Sequence, residues 1–156
     1  MKNLFSFGKG LPITKENLVK EGIAVISYGQ IHFKNNSGTS VKDDLKRFVS
    51  ESYLETNKSS LVNEFDFIFA DTSEDMDGCG NCVYIDKQEK LFAGYHTIIL
   101  RSLEKSDKKY LAYLFLTDAW RYQIRSRVSG IKVFSITQKI LGQVSVIFPP
   151  PDEQKK

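Results

Sequence analysis

The chain has 156 residues, 41% hydrophobic and 26% charged, with 22 Lys/Arg against 19 Asp/Glu. A chain of this size buries about 70% of its unfolded surface without a disulfide or metal staple, and this composition excludes wholesale disorder. It contains no apolar run of about eighteen residues, and "MKNLFSFGKGLP" has too short an apolar segment for a signal peptide, so the sequence predicts a single cytoplasmic domain.

Two glycines and a proline in "FGKGLPITKENL" predict an exposed turn around Lys9, followed by a helix start capped by Thr14. "GIAVISYGQIHF", residues 22–33, is β-branched and aromatic and reads as one strand, or two short ones interrupted at Gly29. "KNNSGTS", residues 34–40, is a polar loop of turn-forming residues. A helical or extended stretch over 42–54 follows, and "NKSS" breaks it. "EFDFIFADTS", residues 64–73, is a short apolar run of the kind that forms a buried strand. An acidic loop, "EDMDGCGNC", leads into "CVYID", then a turn at "KQEK", then "LFAGYHTIILR", which adds further strand.

From Asp107 the pattern changes period. Leu111, Leu114, Phe115, Ala119, Tyr122 and Arg125 recur at spacings of three and four, which predicts one amphipathic helix nearly twenty residues long, ended by Gly130. "SITQKIL" offers Ser135 or Thr137 as the N-cap of a short helix closed by Gly142, and "QVSVIF", residues 143–148, reads as a last strand. Strands come first and helices late, which predicts an α+β domain and not a regularly alternating parallel sheet.

A net charge of +3 conceals a segregation along the chain. Residues 1–61 carry an excess of three positive charges, residues 62–92 an excess of six negative, and residues 101–134 an excess of five positive. Such a chain can present a positive face to a polyanion while its total stays near neutral.

Catalytic signatures are missing from the sequence: there is no G-x-S-x-G, no phosphate-binding loop, no dinucleotide fingerprint and no H-E-x-x-H. Cys79 and Cys82 form a C-x-x-C, but a redox motif needs its first cysteine at a helix N-terminus and here a strand follows. Zinc would need two further ligands, and His32 and His96 stand at no recognisable spacing. Asp71, Glu74, Asp75 and Asp77 lack the spacing of a calcium loop, which leaves an acidic solvated loop. His96 within "GYHTIIL" reads as packed or hydrogen-bonded on a strand.

Basic and polar groups remain. Arg121 and Arg125, four apart on a helix, share a face and suit neighbouring phosphates, and Tyr122 falls within the same one or two turns. With Lys9, Lys34, Arg127 and Lys132 they form the expected phosphate-contacting set. Gln30, Asn35, Asn36, Thr39, Ser40 and Ser73 are the expected readers of base edges.

Four segments, in order, resemble the specificity subunits of type I restriction–modification enzymes. "GIAVISYGQI" is similar to the family's early strand, "DFIFADTSEDMDGCGNCVYI" to its D-x-[IL] strand with a following polar loop, and "LFAGYHTIILR" to its N-x-x-x-G strand ending in Arg. "YLAYLFLTDAWRYQIRSRVSGIKVFSITQKILGQVSVIFPPPDEQ" resembles its helix, Gly…Ile…Leu segment, apolar strand and closing P-P-x-x-E-Q. Two departures are visible: Ala24 stands where the family often has proline, and a third proline, Pro149, precedes the usual pair.

The resemblance implies a target recognition domain over residues 1–151, with a twisted, barrel-like mixed sheet like the DNA methylase specificity domains and a long helix in its C-terminal half. Residues 152–156 would begin a truncated spacer helix. It also implies double-stranded DNA as ligand, one half-site of a bipartite target, and a second recognition domain in the full subunit. Methyltransferase subunits would be partners, and through them the restriction subunit. The chain itself would need no cofactor, S-adenosylmethionine being held by the methyltransferase subunit. The chain then reads as an excised domain in preference to a natural half-subunit. Two other readings stand beside this one: a small zinc- or thiol-dependent module using Cys79 and Cys82, and a protein-interaction module that does not read DNA.

Overall fold

The computed structural model describes residues 4–104, 106–147 and 150–154. Strand β1 (Phe5–Lys9) ends in a turn, after which Thr14 caps a single 3-10 turn at Lys15–Asn17, its N–H donating to Asn17 Oδ1 at 2.9 Å. β2 (Ile23–Ile26) is followed by a short helix, α1 (Tyr28–Ile31). After the polar loop come β3 (Arg47–Val49) and α2 (Tyr53–Thr56), and then β4 (Phe67–Ala70), β5 (Thr72–Ser73), β6 (Cys82–Tyr84), β7 (Leu91–Ala93) and β8 (Thr97–Ser102). Helices α3 (Lys109–Leu114) and α4 (Asp118–Arg125), strand β9 (Phe134–Ser135), α5 (Gln138–Gln143) and the turn α6 (Pro151–Gln154) complete the order.

These strands form a four-stranded sheet in the order β1-β8-β4-β6, a three-stranded sheet β3-β2-β7, and a two-stranded ribbon β5-β9. Alternation along the strands decides what each face meets. Phe67 and Phe69 of β4, Cys82 and Tyr84 of β6, and Ile98 and Leu100 of β8 pack with Leu111, Phe115, Trp120, Ile124 and Leu141 of the helices. Their neighbours Ile68, Val83 and Ile99 point the other way and meet Ile26, Leu91 and Ala93 of the second sheet. Val25 and Phe92 line that sheet's outer face, which Leu11, Ile13, Tyr53 and Leu54 cover. The layers therefore run helices, four-stranded sheet, three-stranded sheet, cover. The α+β expectation holds, while these pairings by themselves do not close a barrel.

Several sequence expectations need correction. Tyr28–Ile31 is helical and not strand, because Ser27 and Gln30 form a capping pair in which Gln30 Oε1 accepts from the Ser27 N–H at 3.1 Å. The expected long helix in the C-terminal half is two helices. Thr117 divides them: its hydroxyl donates to the Leu114 carbonyl at 2.7 Å and accepts from the Trp120 N–H at 3.3 Å, so it ends α3 and caps α4. The break lets Phe115 and Trp120, with ring centroids 4.4 Å apart, both reach the core. Thr137 is the cap of α5, as one of the two expected, and Gly142 lies inside that helix. The last strand does not form over 143–147: Gln143 ends α5, and the Ser145 N–H donates to Gln123 Oε1 while its carbonyl accepts from Gln123 Nε2, so a side-chain amide takes the place of a neighbouring strand. Phe148 and Pro149 lie outside the described residues. His96 sits in an exposed turn at φ 54 between β7 and β8, and is not on a strand.

Register places the functional end. Lys9 pairs with Ile98, Ala70 with Thr97, Phe69 with Cys82, and Ile26 with Ala93. The segments following β1, β2, β4 and β7, and those preceding β6 and β8, therefore gather at one rim of the molecule.

Candidate nucleic-acid interface

At that rim the end of β2 is tied to the β7–β8 turn. Tyr28 N–H donates to the Tyr95 carbonyl at 3.2 Å, and Ser27 Oγ accepts from the Tyr95 N–H at 3.2 Å. Gly94 permits this approach, since a Cβ there would collide with Ser27 Oγ. The rings follow the backbone: Tyr28 stands edge-on to Tyr95 and His96 at centroid distances of 5.8 and 5.2 Å. Burial, and then the neighbouring Tyr28, raise the pKa of the Tyr95 hydroxyl, which therefore stays a neutral donor. His96 Nδ1 lies 3.4 Å from Asp71 Oδ1.

His32, just past α1, forms the opposite wall. Its Nε2 is 2.7 Å from the Thr72 carbonyl, which can only accept, so that nitrogen carries the proton. Nδ1 then accepts from the Asn81 amide at 3.0 Å, and Asn81 Oδ1 in turn accepts from Arg121 Nη1 at 2.7 Å. One chain of hydrogen bonds thus joins the β5 ribbon, α1, the loop before β6, and α4.

The acidic loop closes the third side. Ser73 Oγ donates to the Asp75 carbonyl at 2.7 Å, and Asp75 Oδ1 accepts from the Gly78 N–H at 2.7 Å. From α4, Arg121 Nη1 and Arg125 Nη2 both reach the Asp77 carbonyl, at 3.2 and 3.4 Å. Gly80, at φ 97, lets the loop lie on Trp120: a Cβ would stand 3.2 Å from Trp120 Cζ3. Between these walls is a cleft of about 510 Å³ lined by Tyr28, His32, Ser73, Asp75, Asn81 and Tyr95 among others. It offers aromatic faces, hydroxyls and carboxylate acceptors.

The expected DNA contacts divide into two groups. Lys9, Lys34, Asn35, Arg127 and Lys132 are exposed. Lys9 ends β1 at the rim, and Lys34 and Asn35 lie in the turn beyond His32, where Asn35 also bonds to Asp44. Arg127 bonds only to its own helix end, at the Gln123 carbonyl and Ser126 Oγ among the described residues, and Lys132 stands in the loop between α4 and β9.

The second group is engaged internally. Gln30 is buried as the cap partner of Ser27, and buried Ser73 gives its hydroxyl to Asp75. Asn36 holds the polar loop to β6, donating to the Ile31 and Cys82 carbonyls at 2.9 and 3.1 Å and accepting from the Gly38 N–H at 3.0 Å. Thr39 and Ser40 are half-buried beside Ser37. Arg121 donates from Nε to the Phe115 carbonyl at 3.1 Å, and burial lowers its pKa from the ordinary arginine value. Arg125 leans on Asp77.

Sequence reading did not select Tyr28, His32, Asn81, Tyr95 or His96 for the site. The S-x-x-Q at Ser27–Gln30 is the signal that places Tyr28 and His32 at a helix, but the pairing of His32 with Asn81 spans 49 residues and has no local signature.

The C-x-x-C is core. Cys79 and Cys82 are free and buried, and burial pushes the Cys82 thiol up to about 12 and the Cys79 thiol upward. A thiol held neutral in this way is a poor nucleophile, and among the described residues no group of three or more His, Cys, Asp or Glu comes together to hold a metal ion. Among the described residues no helix is long and apolar enough to cross a membrane.

This fold is shared with part of solved specificity subunits of type I restriction–modification systems. The S subunit of a type I system from M. genitalium aligns with 92% of this chain and 31% of its own at 17% identity and a TM-score of 0.56. The HsdS subunit from Thermoanaerobacter tengcongensis aligns with 99% of this chain and 33% of its own at 14% identity and a TM-score of 0.60. A chain from a study of complex assembly and conformational transition of the type I R-M system aligns at 15% identity, 98% and 34% coverage and a TM-score of 0.62. This chain thus spans about a third of the length of these solved structures. No curated protein sequence matches it.

The sequence pattern over residues 2–156 matches the type I restriction modification DNA specificity domain, and the chain belongs to that family. A domain of this family is a DNA-recognition component without catalysis of its own, and it reads half of a DNA target.

Proposed function

We propose that the rim described above is the surface with which this domain reads one half-site of a bipartite duplex target. The observation that carries the reading is the cleft itself, in which Tyr28, Tyr95, His32 and carboxylates sit at one end of both sheets, on a molecule whose cations Lys34, Arg127 and Lys132 are exposed. Exposed cations bind phosphates without regard to sequence and fix the register, while recessed polar groups meet base edges. Carboxylates at the cleft mouth, such as Asp75, accept from exocyclic amino groups and repel phosphate.

In the full subunit a second recognition domain would read the other half-site, and methyltransferase subunits, with the restriction subunit through them, would act on the site so marked. S-adenosylmethionine and methyl transfer belong in this reading to the methyltransferase subunit, and the assembly works in the cytoplasm. The helical turn Pro151–Gln154, with Asp152 and Glu153 placed where a helix dipole favours acids, is in this reading the start of the spacer helix.

Grafting the chain in place of one recognition domain of a complete type I specificity subunit, and mapping the methylated adenines by long-read sequencing, tests the reading. One half of the methylated motif changes and the other stays. Methylation of an unchanged motif refutes it.

A further inference from the structure

The loop between α4 and β9 carries a side chain that the fold does not use. Ile131 is 94% exposed and Val133 is half-exposed, in a stretch that also holds Arg127, Ser129 and Lys132. An aliphatic side chain almost wholly in water, between two exposed cations, gains nothing for stability where it stands.

The loop is held at its base. Ser129 bridges Ser135, β9 pairs with β5 through Thr72–Ser135 and Ser73–Phe134, and the Ile136 N–H donates to the Asp71 carbonyl at 2.7 Å. Gly130 makes the tight path possible: its φ is 150, and a Cβ there would collide with the Val133 carbonyl. The ribbon that anchors the loop includes Ser73, which lines the cleft. A braced loop, tied through β9 to the ribbon that holds Ser73, thus carries Ile131 into solvent with a cation on either side along the chain.

We infer that Ile131 is a base-contacting tip: Arg127 and Lys132 engage phosphates of one groove and Ile131 leaves water against the bases between them. This rests on the half-site reading and adds a residue to it. Charge complementarity selects the partner, since two cations bracketing an aliphatic tip match phosphates bracketing base edges. The contact takes one of two forms with the same chemistry, packing on a thymine methyl group or wedging between two base pairs.

The test begins with duplexes selected by the chain from a pool of randomised sequence, measured by fluorescence anisotropy over a salt series. Ile131→Ser weakens binding to the selected duplex about tenfold or more, the loss expected when a buried aliphatic contact is removed. Its salt slope and melting temperature match the parent, because no phosphate contact and no core atom is lost. Lys132→Ala weakens selected and scrambled duplexes alike and lowers the slope by about one. Uracil in place of each thymine identifies a methyl contact as a loss that vanishes in Ile131→Ser. 2-Aminopurine at each step identifies a wedge as a fluorescence rise that vanishes in the same variant. Equal binding of parent and Ile131→Ser to the selected duplex overturns the inference while leaving half-site reading intact. A parent chain that selects no sequence and shows no salt-sensitive binding overturns both.

Discussion

Arg121 separates two views of helix α4. Spacing alone places it on a phosphate, whereas the structure gives its guanidinium three internal acceptors: Phe115 O, Asp77 O and Asn81 Oδ1. Replacing it by methionine keeps most of the aliphatic stem and deletes all three hydrogen bonds. Hydrogen bonds from a charged group are worth about 1.5–3 kcal/mol each, but this side chain is only partly buried and some acceptors regain water, so a total of about 2–3 kcal/mol is expected. For a domain of this size each kcal/mol moves the melting temperature by about 2–4 °C, so Arg121→Met should melt about 5–10 °C lower. Arg121→Lys should recover little, because an ammonium cannot span the same three acceptors. Thermal melting followed by circular dichroism measures the first effect, and anisotropy titrations against log salt measure the second. The slope should stay at the parent value, since no counterion release is lost, while preference for the selected duplex declines as the acidic loop and Asn81 lose their anchor. An unchanged melting temperature together with a slope lower by about 0.9 would put Arg121 on a phosphate and refute this account.

Other outcomes follow from the same structure. Arg127→Ala should leave melting unchanged and lower the salt slope by about one, since its internal bonds are to its own helix end; a slope equal to the parent would remove it from the interface. Arg101→Met should cost about 3 kcal/mol, read as a denaturant midpoint, because Asp66 is 2% exposed and would lose its contacts at 2.7 and 3.0 Å, yet DNA selectivity should persist because this pair lies at the strand ends opposite the rim. Neither thiol should react with Ellman's reagent until the chain unfolds. The raised Cys82 pKa carries a sign: the folded state holds its proton where the unfolded thiol has lost it, so stability present below about pH 9 declines as pH rises toward about 12. Cys82→Ala should flatten part of that decline in urea midpoints, and an unaltered pH profile would show that another group, such as the buried Tyr84 hydroxyl with its raised pKa, accounts for it.

Local pattern made several elements legible. Continuous apolar character at 67–70 announces a strand buried on both faces, and this is where helices and second sheet meet. The caps Thr14 and Thr137 are readable from the polar residue standing before each turn. What was not legible is competition between elements. The apolar spacing from Leu111 to Ile124 satisfies a continuous helix, and only the need to seat Phe115 against Phe67 and Phe69, and Trp120 against Phe69 and Gly80, makes the break at Thr117 the better solution. Similarly, "QVSV" alternates like a strand, yet the amide of Gln123 satisfies Ser145 before any strand does.

The same distinction explains the site. Charge is a sequence property, so Lys34, Arg127 and Lys132 were legible as cations. Engagement is not, and Arg121, Asn36, Gln30 and Ser73 carry the same chemistry while spending it on the fold. A domain that must read different sequences on one scaffold needs both kinds of residue close together: anchors that hold loops in register and free groups that meet DNA. Placing Arg121 with the anchors turns the acidic loop from a solvated excursion into a braced wall. Its carboxylates can then discriminate, because a wall held at fixed distance rejects a misplaced phosphate at a cost that a mobile loop would avoid by moving aside.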